Sequence, residues 1–83
     1  MRVIFKDGRM VRIDGRTREA RILRGLARMG VGYLHAWTYK IKRLLPALER
    51  LRELGIIEFS ISWGDPMSSV FAKFTDEVET VEE

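Results

Sequence analysis

Apolar positions near the start of the chain fall in two short runs, Val3-Ile4-Phe5 and Met10-Val11 with Ile13, on either side of Asp7-Gly8. Asp-Gly between apolar runs is a hairpin signal, because both central positions of the two-residue turn need positive φ. The spacing predicts a β-hairpin over residues 1–14, with Phe5 opposite Met10 and Ile4 opposite Val11. Apolar groups then lie on both faces, one for the helices that follow and one for a partner or more chain. At Thr17 the period becomes helical. Thr17 suits the N-cap and Glu19 the first turn, where the helix dipole favours an anion. A first helix from Arg18 to Met29 then buries Ala20, Leu23, Leu26 and Ala27, with Ile22 at the edge, and Gly30 ends it.

After Gly30-Val31-Gly32, the residues Tyr33, Leu34, Trp37, Ile41 and Leu44 recur at helical spacing. They predict a second helix from Tyr33 to about Lys40, with Trp37 in the core and His35, Tyr39, Lys42 and Arg43 outside. Pro46 costs ~3 kcal/mol inside a helix but little in a first turn. The reading therefore breaks the helix near Lys40–Arg43 and starts a third at Arg43 or Leu44, ending at Leu54 with Gly55 as its cap. One long kinked helix from Tyr33 to Leu54 is the alternative. Ile57, Phe59, Ile61 and Trp63 alternate with Glu58, Ser60 and Ser62, which marks a half-buried strand. Gly64 to Ser68 turns the chain, and Val70, Ala72 and Phe74 alternate in a returning strand to Thr75. Residues 76–83 are acidic, with only Val78 and Val81 apolar, and read as a frayed or disordered tail. The chain thus divides into a hairpin (1–14), a helical domain with its own hairpin (15–75) and a tail (76–83).

Composition narrows the chemistry. Eighty-three residues exclude folds that need ~200 or more. There is no cysteine and a single histidine, His35, so no thiolate metal site, disulfide or cofactor is expected. No nucleophile with a nearby base, catalytic carboxylate pair or Gly-rich phosphate loop can be assembled, so no enzyme is expected. No apolar run approaches the ~20 residues that span a bilayer, and no leader pattern opens the sequence. A cytoplasmic protein without a membrane role is the expectation. Asn and Gln are absent, and eleven Arg stand against four Lys. Dense charge without thermolabile amides is the pattern of hyperthermophile proteins. The charge is also split. Residues 1–52 hold fourteen Lys+Arg against four Asp+Glu, and residues 53–83 hold one against eight. The first segment could sit on phosphate, and the second could meet a basic protein.

The run Leu44-Leu45-Pro46-Ala47-Leu48-Glu49-Arg50-Leu51-Arg52-Glu53-Leu54-Gly55-Ile56-Ile57, followed by a hairpin that finishes in Phe74-Thr75, resembles the winged-helix DNA-binding superfamily over residues 18–75. The resemblance implies an α+β fold: an N-terminal β-hairpin, three helices and a C-terminal β-hairpin wing. It also implies that the start of the third helix enters the major groove, through Lys42, Arg43, Leu45, Pro46, Glu49 and Arg50. Three features depart from the superfamily. Gly30-Val31-Gly32 leaves little room for the usual short strand between the first two helices, which the extra N-terminal hairpin could supply instead. The wing tip carries Asp65 and neither Lys nor Arg.

Arg21, Arg24 and Arg28 share an arc of the first helix, with Arg18 beside them, and such a face can neutralise adjacent phosphates. Tyr39 among Lys40, Lys42 and Arg43 suits stacking or a phosphate hydrogen bond, and Arg50 suits a base or phosphate. A solvated face, with Arg50 paired to Glu53 and Glu49 to Arg52, is the plainer reading of these charges. The first functional expectation is a small DNA-binding protein that regulates transcription. The alternatives are a protein-interaction module engaged through the acidic C-terminal part, as winged helices serve in transcription and replication assemblies, and an RNA-binding protein. A homodimer through residues 2–13 is also expected, because that hairpin offers an edge with little to block pairing.

Overall fold

The first helix forms where the pattern places it. In the computed structural model, which describes residues 1–83, α1 runs Arg18–Met29. The Thr17 hydroxyl accepts from the Ala20 N–H at 3.3 Å, and Gly30, at φ +83°, ends the helix with its N–H on the Leu26 carbonyl. Ala20, Leu23 and Leu26 are buried. The remaining elements are β1 (Arg2–Phe5), β2 (Met10–Arg12), β3 (Val31–Trp37), α2 (Thr38–Glu53), β4 (Ile57–Ser62), β5 (Met67–Phe74) and β6 (Val78–Glu82). The architecture is α+β, with two helices and six strands in two three-stranded sheets, ordered β2-β1-β6 and β3-β5-β4. The expected three-helix domain is therefore overturned, and with it the fold that the winged-helix resemblance implied.

The segment expected to be the second helix is a strand. Val31–Trp37 pairs antiparallel with β5 in unbroken register, from Val31 opposite Lys73 to Trp37 opposite Met67. Over seven residues the set Tyr33, Leu34 and Trp37 fits a helical stripe as well as an alternating one, and the pairing partner decides between them. The strand passes into α2 with no turn between, so no Gly, Pro or cap residue announces the change. Alternation turns Tyr33, His35 and Trp37 to the outer face of the sheet. Tyr33 is 69% exposed, and Trp37, at 47% exposed, does not belong to the core as expected.

The second and third expected helices merge into one, and Pro46 lies inside it. Its cost of ~3 kcal/mol is set against Ile41, Ala47, Leu48 and Leu51, all buried, where each large side chain is worth ~1.5–3 kcal/mol. Burial wins. Pro46 also sits on the exposed side, where water can reach a carbonyl left without its amide. The helix ends as expected: Gly55 is at φ +79°, its N–H meets the Arg52 carbonyl, and the Ile56 N–H meets the Leu51 carbonyl.

The N-terminal hairpin is present, but its register slips by one residue. Ile4 faces Met10 and Val3 faces Val11. The turn has three residues, because the Gly8 N–H bonds the Phe5 carbonyl and Gly8 takes φ +91°. The Asp7 carboxylate accepts from the Arg9 N–H at 3.0 Å and from Arg9 Nε at 2.8 Å. The bond from the Arg9 amide, followed by that from its side chain, holds the Asp7 carboxyl below its ordinary pKa. The acidic tail is neither frayed nor free. It forms β6, which pairs with β1 and sets Val81 opposite Val3 and Val78 opposite Phe5. The hairpin does not supply a strand to the β3-β5-β4 sheet.

One core joins the layers. Leu23 and Leu26 of α1 and Leu48 and Leu51 of α2 meet Ile57, Val70 and Ala72 of one sheet and Val3 and Phe5 of the other. Ser68 is the one buried polar side chain. Its Oγ lies 2.7 Å from Thr38 Oγ1 and accepts from the Gly64 N–H at 3.0 Å. Thr38 Oγ1 donates to the Gly64 carbonyl at 2.7 Å, and the Thr38 N–H to the Pro66 carbonyl at 2.9 Å. This polar cluster pins the point where β3 becomes α2 to the tip of the β4–β5 hairpin.

Candidate nucleic-acid interface

Folding redistributes the charge that is split along the sequence. The C-terminal segment brings two carboxylates to the hairpin: Arg2 meets Glu82 of β6 at 2.8 Å and Arg9 meets Glu77, just before β6, at 4.0 Å. The segments that build this sheet, 1–17 and 76–83, hold five Lys+Arg against seven Asp+Glu. Residues 18–53, the two helices with β3 between them, hold nine against three. The net positive charge therefore lies in the helical layer.

Within that layer the candidate residues separate. Arg18 reaches across from α1, and its Nη1 donates to the Arg43 carbonyl of α2 at 3.2 Å. Arg43 stands three residues before Pro46, where the proline disturbs the helical ladder. Its guanidinium lies over the Tyr39 ring, 5.6 Å from the centroid. Arg21 follows Arg18 by one turn and lines the groove between α1 and α2. The structure thus brings Arg18, Tyr39 and Arg43 together, with Arg21 one turn along α1, and Lys40 and Lys42 are exposed on either flank of the same stretch of α2. Arg28 lies about two turns beyond Arg21 along α1, beside Arg24 and Glu83.

Two expected members leave the group. Arg24 is drawn to the end of the chain, where its Nε and Nη2 bond the Glu83 carboxylate at 3.2 Å. Arg50 turns to Glu19, at 3.9 Å, and not to Glu53. Glu49 makes no ion pair with Arg52, whose guanidinium instead stacks on Phe59 at 4.5 Å. His35 was expected beside Tyr39 on a helix, but it stands on the outer sheet face with its Nδ1 2.8 Å from Ser69 Oγ. Arg18, Arg21, Arg28, Lys40, Lys42 and Arg43 have no carboxylate within ion-pair distance. Chemically, this is an exposed, uncompensated cationic surface across two helices, able to take several phosphates at once.

A second exposed surface escaped the sequence reading. On the outer face of the β3-β5-β4 sheet, Tyr33 stands directly opposite Phe71, with His35 and Trp37 further along the same strand. Alternation of Val31, Tyr33, His35 and Trp37 is the signal that would have found it. Comparison with known protein families, curated protein sequences and solved structures finds no match to this chain. No helix is long and apolar enough to cross a membrane.

Proposed function

We propose that this protein binds duplex DNA through the two-helix basic face, as a small regulator of transcription would. The observation that carries the reading is the sorting of charge on folding. Glu77 and Glu82 pair with the hairpin and Glu83 with Arg24, while Arg18, Arg21, Arg28, Lys40, Lys42 and Arg43 keep no carboxylate partner on the helical layer. The Arg18 side chain is tethered to the Arg43 backbone carbonyl and the Arg43 guanidinium rests over the Tyr39 ring, so part of the ordering cost of phosphate contact is met before binding. Such contacts position a protein on the duplex, and sequence preference comes from whatever reaches base edges. Arg43, an exposed bidentate donor beside Tyr39, is the residue for that role. The interaction-module reading loses part of its support, because Glu58, Glu77, Glu82 and Glu83 pair within the chain.

RNA binding has one observation in its favour, the row of Tyr33, His35 and Trp37 beside Phe71. Unpaired bases stack on such rings. Fluorescence anisotropy with labelled duplex and single-stranded oligonucleotides separates the two. The duplex reading expects tighter duplex binding, lowered at least tenfold by R18A/R21A/R43A and unchanged by R24A, whose guanidinium is already engaged. Preference for single strands that is lost in Y33A/F71A would replace it with the RNA reading.

A further inference from the structure

β3 pairs with β5 on one side and with nothing on the other, and its seven residues include no Asp, Glu, Lys, Arg or Pro. Proteins usually blunt an open edge with charge, proline, a bulge or a covering element. The other open edges are blunted: β2 is three residues long and ends in Arg12, β4 carries Glu58, and β6 carries Glu79 and Glu82. Of the hairpin expected to pair through residues 2–13, β1 is covered by β6 and only the short β2 remains an edge.

The bond from the Thr38 N–H to the Pro66 carbonyl fixes the parity of the β3 ladder. Antiparallel pairing alternates, so Gly32, Leu34 and Ala36 bond to β5. The backbone N–H and C=O of Val31, Tyr33, His35 and Trp37 therefore point to the open side. Beside this edge lies an apolar groove of about 390 Å³, with Ile22, Leu26 and Met29 of α1, Leu34 of β3 and Leu44 of α2 in its walls and no carboxylate. Met29 is 70% exposed. The chain exposes 5575 Å². A monomeric protein of its mass exposes ~5,100 Å², which leaves roughly 450 Å² in excess toward the ~800 Å² per partner of a standard interface.

We propose that two copies of this chain associate through β3, paired antiparallel about a two-fold axis at Leu34. Val31 then faces Trp37 of the second copy, and Tyr33 faces its His35. The parity is self-complementary, since these residues hold the free backbone groups on both copies. An axis normal to the sheet keeps both helical layers on one side of a continuous six-stranded sheet. The two grooves open toward the axis, so Met29, Ile22 and Leu34 gain cover. The two basic faces also come to lie side by side, and Arg21, on the groove wall, approaches its counterpart. Salt or a bound polyanion therefore tightens the dimer. The pairing itself does not rest on the DNA reading.

The test is sedimentation velocity without nucleic acid. H35P removes an N–H that β5 does not use, and proline is tolerated on an edge strand, so the subunit keeps its fold while the intersubunit ladder loses two bonds, one from each copy. L34K places a charge at the axis. Wild type is expected to be a dimer at roughly 100 μM, where a 1 μM contact is saturated. Each variant should associate at least tenfold more weakly with an unchanged circular dichroism spectrum. In wild type, the amides of Tyr33 and His35 should exchange slowly at high concentration and quickly on dilution. If H35P does not fold, L34K and the exchange of those two amides decide. A wild-type monomer at that concentration, a dimer that survives both substitutions, or amides equally labile at both concentrations would overturn the proposal.

Discussion

Replacing Ser68 with alanine removes one oxygen from a site that is only 2% exposed. That oxygen accepts the Gly64 N–H and shares a hydrogen bond with the Thr38 hydroxyl. Thr38 keeps its bond to the Gly64 carbonyl, so the main loss is the acceptor for the Gly64 amide. An internal hydrogen bond contributes ~0.5–1.5 kcal/mol net, and a donor left without a partner costs ~1–3 kcal/mol. Gly64 is itself exposed, so water can recover part of that cost. The expected destabilisation is about 1–2 kcal/mol, equivalent to ~4–16 °C in the thermal midpoint of a domain of this size. Chemical denaturation of S68A, T38V and the double variant measures it. Because both hydroxyls meet at Gly64, the cycle should show a coupling of at least ~0.5 kcal/mol. A loss below ~0.3 kcal/mol, or additive losses, would show that this cluster does not hold the strand-to-helix junction in place.

Val81 faces Val3 across the β6–β1 ladder, so V81D should destabilise by about 2–3 kcal/mol while E79K, on the same strand but exposed, stays within ~0.5 kcal/mol. Equal, negligible effects in urea titrations would return residues 76–83 to a frayed tail. The lack of Asn, Gln and Cys, with dense charge of both signs, leads to an expected thermal midpoint above ~65 °C, beyond the usual mesophile range, and calorimetry checks it.

The parts of the fold legible in the sequence are those that local chemistry specifies. Thr17 and Gly30 bracket α1, Gly55 ends α2, and Ile57 to Phe74 alternates through β4 and β5 around a turn marked by Gly64 and Pro66. Where long-range pairing decides, the sequence is ambiguous. Val31–Trp37 has two periodicities, and β5, more than thirty residues from its start, selects one. Pro46 looks like a boundary because its local cost is known, whereas the burial that outweighs it depends on the tertiary core. Val78 and Val81 look too sparse for a strand until β1 supplies Val3 and Phe5. The hairpin register slips because Asp7-Gly8 serves equally in a two-residue turn and in a three-residue turn with Gly8 last. For the site, residue type and face identify Arg18, Arg21 and Arg43 as candidates. Only the fold shows that Arg24 and Arg50 find carboxylates far away in sequence, at Glu83 and Glu19.

The measurement that bears most directly on the basic face is the salt dependence of duplex binding. Each phosphate contact contributes about −0.9 to the slope of log K against log salt, so four to six engaged cations give a slope of about −3.6 to −5.4 between ~50 and 200 mM salt. Wild type is expected to show that slope and R18A/R21A/R43A a value flatter by up to about three units, with R24A indistinguishable from wild type. Absence of duplex binding at ~50 mM salt, or a slope that the triple substitution leaves unchanged, would contradict this expectation.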